Sequence, residues 1–112
     1  MSRLDPMGLR ILAQYERRKI QDTVHESLRV DGQGLIPRAG PDHCIQITIS
    51  GDPKDYRFPV PPEFNRQGYF VMKAADLPVA IPYDADAKVA IIGIDRRGEK
   101  VVAQSPVRYR TV

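Results

Sequence analysis

The run Lys88-Val89-Ala90-Ile91-Ile92-Gly93-Ile94-Asp95 constrains this chain more than any other stretch. It is almost wholly apolar and rich in β-branched residues, the pattern of a strand covered on both faces. Arg96-Arg97-Gly98 follows, and then the more polar run Glu99-Lys100-Val101-Val102-Ala103-Gln104 with the tail Ser105–Val112. Asp95 suits the first position of a type I turn, and Gly98 suits the φ > 0 residue that closes a three-residue hairpin loop. The spacing predicts a β-hairpin whose first strand is central in its sheet.

The segments upstream of it supply shorter strands. In Cys44–Ser50, Ile45, Ile47 and Ile49 face one way, and Gln46, Thr48 and Ser50 the other. Gly51–Lys54 reads as a turn, after which Tyr56, Phe58 and Val60 resume the alternation. Pro59, which has no N–H, places that run at a sheet edge. Pro61–Gly68 reads as a stiff loop, Tyr69–Lys73 as a strand, and Val79–Ile81 as a short strand between two prolines. Six or seven short strands with such turn signals are expected of a β-sandwich.

The N-terminal third reads differently. Asp5-Pro6 is a helix start, with Asp as N-cap and Pro where the missing N–H costs nothing. Leu9, Leu12, Tyr15, Ile20, Val24 and Leu28 then recur mostly at spacings of three and four, predicting one face of an amphipathic helix, with Arg10, Arg17, Arg18, Asp22 and Glu26 opposite. The glycines and prolines of 31–43 exclude regular structure. The expected organisation is a helical arm (1–30), a Gly/Pro linker (31–43) and a β-sandwich (44–112). The fold class is therefore mainly β: a small antiparallel sandwich preceded by an N-terminal amphipathic α-helix.

Tyr83-Asp84-Ala85-Asp86-Ala87-Lys88-Val89-Ala90-Ile91-Ile92-Gly93-Ile94-Asp95-Arg96-Arg97-Gly98-Glu99 resembles the last two strands of immunoglobulin-like or fibronectin type III-like modules, in which an apolar strand ends in an acidic residue before a glycine-containing turn. The resemblance implies an immunoglobulin-like sandwich over 44–112, without the cysteine pair and core tryptophan of true immunoglobulin domains. An arm leading into such a sandwich is also similar to small bacteriophage structural proteins that decorate or cement capsids, which implies a virion location and protein-subunit partners.

Composition narrows the classes. Apolar residues make up 42% and charged residues 28% of the chain, as in globular domains, and no apolar run approaches the ~20 residues of a spanning helix. The first residues lack the apolar core of a secretion signal, and the single Cys44 leaves no intrachain disulfide, so a cytoplasmic or cytosol-assembled protein is expected, with the virion location implied by the resemblance alone. Charge is uneven: residues 1–30 carry six basic against four acidic residues, 31–95 six against nine, and 96–112 five against one. Basic ends around an acidic middle suit docking to several partners, including other copies of the chain.

Few residues offer chemistry. Asp42-His43-Cys44 holds catalytic residue types, but neighbours entering a strand point to opposite faces, so His43 is poorly placed to activate Cys44. Asp76, Asp84 and Asp86 offer oxygens for calcium without an EF-hand pattern, and Gly32-Gln33-Gly34 follows an expected helix, not a strand, and lacks the third glycine and the lysine of a phosphate loop. The chain is thus expected to be no enzyme and to need no metal or cofactor. The expected partner-binding residues are Leu9, Leu12, Tyr15, Ile20, Val24 and Leu28 on the apolar stripe, with Arg17, Arg18, Arg96, Arg97, Arg108 and Arg110. Two alternatives are a nucleic-acid-binding accessory domain that uses Arg108 and Arg110 on the last strand, and a ligand-binding sandwich module built on Asp84 and Asp86.

Overall fold

A computed structural model describes residues 10–33 and 43–112. It contains seven strands: β1 (Arg10–Ile20), β2 (Thr23–Gln33), β3 (Cys44–Ile49), β4 (Asp55–Pro59), β5 (Tyr69–Lys73), β6 (Ala87–Asp95) and β7 (Gly98–Thr111). A short helix, α1 (Pro62–Gln67), and one 3₁₀ turn (Ala74–Asp76) complete the regular structure. The strands form one sheet in the order β4-β3-β6-β7-β1-β2-β5. Every neighbouring pair is antiparallel except β1 and β7, which run parallel from Ala13↔Val107 to Arg17↔Thr111.

β6 is central, as its composition predicts. It lies between β3 and β7, and Val89, Ala90, Ile91 and Ile92 are all buried, so both of its faces are covered. β7 joins the two halves of the sheet. Eight of its first nine residues pair with β6 and its last five with β1. A bulge opposite Ile91 and Ile92 inserts Val102 into β7 and shifts the register, which sharpens the local twist. Where β7 passes from one neighbour to the other, Pro106 has no N–H. There the buried Ser105 hydroxyl accepts the Ala13 N–H at 3.1 Å and donates to the Pro106 carbonyl at 2.7 Å.

The sheet curls until its two edges face each other. β4 and β5 share no ladder, yet Phe58 on β4 and Phe70 on β5 meet edge to face at 6.2 Å. Phe64 of α1 lies 6.3 Å from Phe70, so the helix between the edge strands fills the gap with one aromatic side chain. A single core runs along the inner face, from Ile45 and Ile47 through Val89 and Ile91 to Tyr15, Leu28 and Val30. The strands therefore form one curled sheet, not the two packed sheets of an immunoglobulin-like sandwich.

The expected amphipathic helix is also replaced. Residues 10–33 are a β-hairpin whose strands pair from Arg10↔Gln33 to Ile20↔Thr23. The stripe with helical spacing mixes the hairpin's two faces. Tyr15 and Leu28 are 1% and 0% exposed, whereas Leu12, Ile20 and Val24 are exposed. The inner face is instead Ile11, Ala13 and Tyr15 on β1 with Leu28 and Val30 on β2, a period of two that the apolar 3–4 spacing overlies. Leu9, Asp5-Pro6 and most of the linker lie outside the described residues. At Val79–Ile81 no strand forms, although Ile81 is buried against the core.

Candidate interaction surfaces

The first surface is the tip of the β1–β2 hairpin. β7 follows β1 only to Thr111↔Arg17, where the Val112 N–H donates to the Arg17 carbonyl at 2.9 Å. β5 follows β2 only to Lys73↔Ser27. Beyond these points Arg18–Ile20 and Thr23–His25 pair only with each other, so this end of the hairpin has no further ladder partner among the described residues. Ile20 and Val24 are 50% and 48% exposed there. A groove of about 510 Å³ on the β2 side is lined by Val24, His25, Glu26, Ser27, Lys73 and Ala74. One of about 320 Å³ on the β1 side is lined by Arg17, Lys19, Val24, Thr111 and Val112.

Tyrosines brace the root of this tip. The buried Tyr15 hydroxyl donates to Glu26 at 2.6 Å, and Arg17 reaches the same carboxylate at 3.4 Å. The Arg17 guanidinium lies 5.2 Å from the centre of the Tyr83 ring, and Tyr83 meets Tyr109 at 5.1 Å. Tyr83 and Thr111 share a hydroxyl hydrogen bond, and Tyr109 donates to the Ala85 carbonyl at 2.7 Å. Burial, and then the Glu26 carboxylate, push the Tyr15 hydroxyl well above the ordinary tyrosine range. Burial raises Tyr109 as well, reinforced by the charges of Asp84 and Asp86.

The β6–β7 turn lies at the other end of the molecule, because β7 runs parallel to β1 and antiparallel to β6. Its loop is two residues long, Arg96-Arg97, between the paired Asp95 and Gly98, and Gly98 has φ +108°. Glycine thus holds the left-handed position as expected, in a loop one residue shorter. Ile94 and Val101 are exposed beside it. Arg57 of β4 forks onto Glu99, donating from Nη2 to Oε1 at 2.8 Å and from Nη1 to Oε2, while its Nε donates to Gln46 at 3.0 Å. The fork holds the Glu99 carboxyl below its ordinary range.

The third surface is the outer face of β7-β1-β2-β5. Register places Arg108 beside Gln14 and Arg29, then Val71; Arg110 beside Glu16 and Ser27, then Lys73; and Arg18 beside His25. Arg10, Leu12, Asp31 and Tyr69 share this face. Arg29 is bidentate to Asp31 at 2.9 and 3.0 Å and lies 4.2 Å from the centre of the Tyr69 ring.

Among the expected partner-binding residues, Tyr15 and Leu28 are core and present nothing to a partner. Leu12, Arg18, Arg108 and Arg110 fall on the outer face; Arg17, Ile20 and Val24 fall at the β1–β2 tip; Arg96 and Arg97 fall at the far end. The stripe and the arginines therefore divide among three surfaces instead of one. Sequence reasoning left out Arg29, Tyr69 and Lys73, whose shared signal is only their parity with Arg108 and Arg110 once the register is known. Cys44 faces outward opposite Ile92 and Pro59, while His43 packs inward against Gly93, so the two do not converge. Among the described residues no His, Cys, Asp and Glu cluster could hold a metal ion, and no helix is long and apolar enough to cross a membrane. The chain matches no protein-family model, no curated protein and no solved structure.

Proposed function

We propose that this chain is a non-enzymatic assembly module that docks on protein subunits through the β1–β2 tip. The observation that carries this reading is the end of the hairpin, which no other described strand pairs and where Ile20 and Val24 are exposed. An open strand edge offers unpaired N–H and C=O groups to an incoming strand, and apolar side chains beside it supply the burial that makes addition favourable. The tip carries Glu16, Asp22 and Glu26 against Arg17, Arg18 and Lys19, so two copies of it do not repel. A second copy of this chain is the occupant that the test addresses.

A place on a virus particle, as a capsid decoration or cement protein, is one form this proposed function can take. Its support is the topology: the β1–β2 and β6–β7 hairpin ends lie at opposite ends of the strands, so one chain can touch two neighbours. Light scattering across a concentration series tests the docking. The wild-type mass is expected to rise above the 12.6 kDa of one chain. The double variant Ile20→Asp, Val24→Asp is expected to stay at one chain with an unchanged melting curve. A wild type that stays at one chain throughout, or a variant that still associates, contradicts docking through the tip.

A further inference from the structure

We infer that the outer face of β7-β1-β2-β5 is a binding surface for single-stranded nucleic acid. Among the described residues six cations (Arg10, Arg18, Arg29, Lys73, Arg108 and Arg110) share it with two carboxylates, Glu16 and Asp31. The described residues 10–33 and 43–112 hold 15 Lys and Arg against 12 Asp and Glu, which leaves 9 against 10 for their other surfaces and the core. Among the described residues the net positive charge is thus gathered on one face of the sheet and is absent, on balance, from the others.

Both carboxylates are already engaged. Glu16 lies 3.5 Å from Arg18, and Asp31 holds Arg29 in a fork. Arg10, Lys73, Arg108 and Arg110 make no ion pair among the described residues, so four cations remain for an anionic partner. Arg108 and Arg110 stand two residues apart on one strand, about 7 Å, and Arg29 stands two strands away, about 10 Å. Such a row can follow a phosphate backbone.

Charge alone would suit any polyanion; the Arg29–Tyr69 pair selects among them. Asp31 fixes the guanidinium plane while Arg29 lies over the Tyr69 ring. A planar guanidinium stacked on an aromatic ring is the start of a stack that an unpaired base can extend. An acidic peptide has no such planar group at each charge, and duplex bases are already stacked inside their helix. Val71 and Leu12 lie exposed among these residues and give the bases apolar contact.

Fluorescence anisotropy of a labelled thymidine oligonucleotide provides the test, with a duplex of equal length and poly-glutamate as the other arms. Binding is expected for the single strand, weakening with salt with a log–log slope of about −3 for four neutralised phosphates. Arg108→Glu with Arg110→Glu is expected to weaken it more than tenfold, and Tyr69→Ala by about tenfold. Lys54→Glu, in the β3–β4 turn, is expected to change it little. Lys73→Glu is an independent charge reversal should the double variant not fold. The tip variant Val24→Asp, whose side chain lies on the opposite face of the hairpin from Arg18, is expected to bind the oligonucleotide normally, which separates this inference from docking through the tip. No binding at low salt, equal or tighter binding of the duplex or poly-glutamate, or indifference to Arg108→Glu, Arg110→Glu and Tyr69→Ala overturns the inference.

Discussion

Gln21 and Tyr15 show what single residues contribute to the β1–β2 hairpin. Gln21 is the first of the two loop residues between Ile20 and Thr23, and its φ is +55°. A side chain there bears the left-handed penalty that glycine escapes. Gln21→Gly is therefore expected to raise stability by about 0.5–1 kcal/mol, read as a higher urea midpoint at unchanged slope. This same residue hid the turn from the sequence, because a two-residue hairpin is usually announced by Asn-Gly, Asp-Gly or Gly, and Gln21-Asp22 carries none of these. Tyr15 acts through its pKa. The folded chain holds the Tyr15 and Tyr109 protons more tightly than the unfolded chain does. The stability linked to these two groups is fully present below the unfolded tyrosine pKa of about 10 and is lost as pH rises above it. Tyrosinate absorbance during an alkaline titration is expected to show Tyr15→Phe and Tyr109→Phe each losing a late-titrating group. A profile identical to the wild type would contradict their burial.

The elements differ in how openly the sequence announces them. β3, β5 and β6 are legible because each combines β-branched or aromatic residues with one consistent pattern, alternating in β3 and continuous in β6. β4 is legible as an edge from Pro59. α1 is not, because six residues are too few to show a helical period. Only its boundary chemistry marks it: Pro62 and Glu63 in the first turn, and Gly68 at φ +90° donating its N–H to the Phe64 carbonyl. β1 and β2 are misleading because exposed Leu12, Ile20 and Val24 fall at helical intervals from buried Tyr15 and Leu28. The two readings part on a simple pair of variants. As a helix stripe, Leu12 and Leu28 are equivalent; as strands, they face opposite sides. Leu28→Asp is expected to abolish the folding transition, since it places a carboxylate in the core, while Leu12→Asp is expected to cost less than about 1 kcal/mol. The contact between sheet edges has its own variant. Phe70→Ala removes the ring that touches both Phe58 and Phe64 and is expected to cost about 3–5 kcal/mol in urea unfolding.

At the scale of the whole molecule the decisive contact is the longest in sequence. The parallel pairing of β1 with β7 brings Ala13 to Ser105, 92 residues apart, and no local pattern encodes it. That pairing turns an expected arm and sandwich into one curled sheet, and it decides which residues share a surface. Arg108 and Arg110 were legible as a basic strand end, but their neighbours Arg29, Lys73 and Tyr69 became part of the same face only through the order β7-β1-β2-β5. The two opposite hairpin ends follow from the same pairing, because it sets β1 and β7 running in one direction. Backbone NMR in solution reads this pairing most directly. Cross-strand nuclear Overhauser contacts linking Tyr109 to Tyr15 and Tyr15 to Leu28 are the expected result; a ladder of contacts between residues three apart over 10–29, without those cross-strand contacts, would restore the helix and contradict the curled sheet.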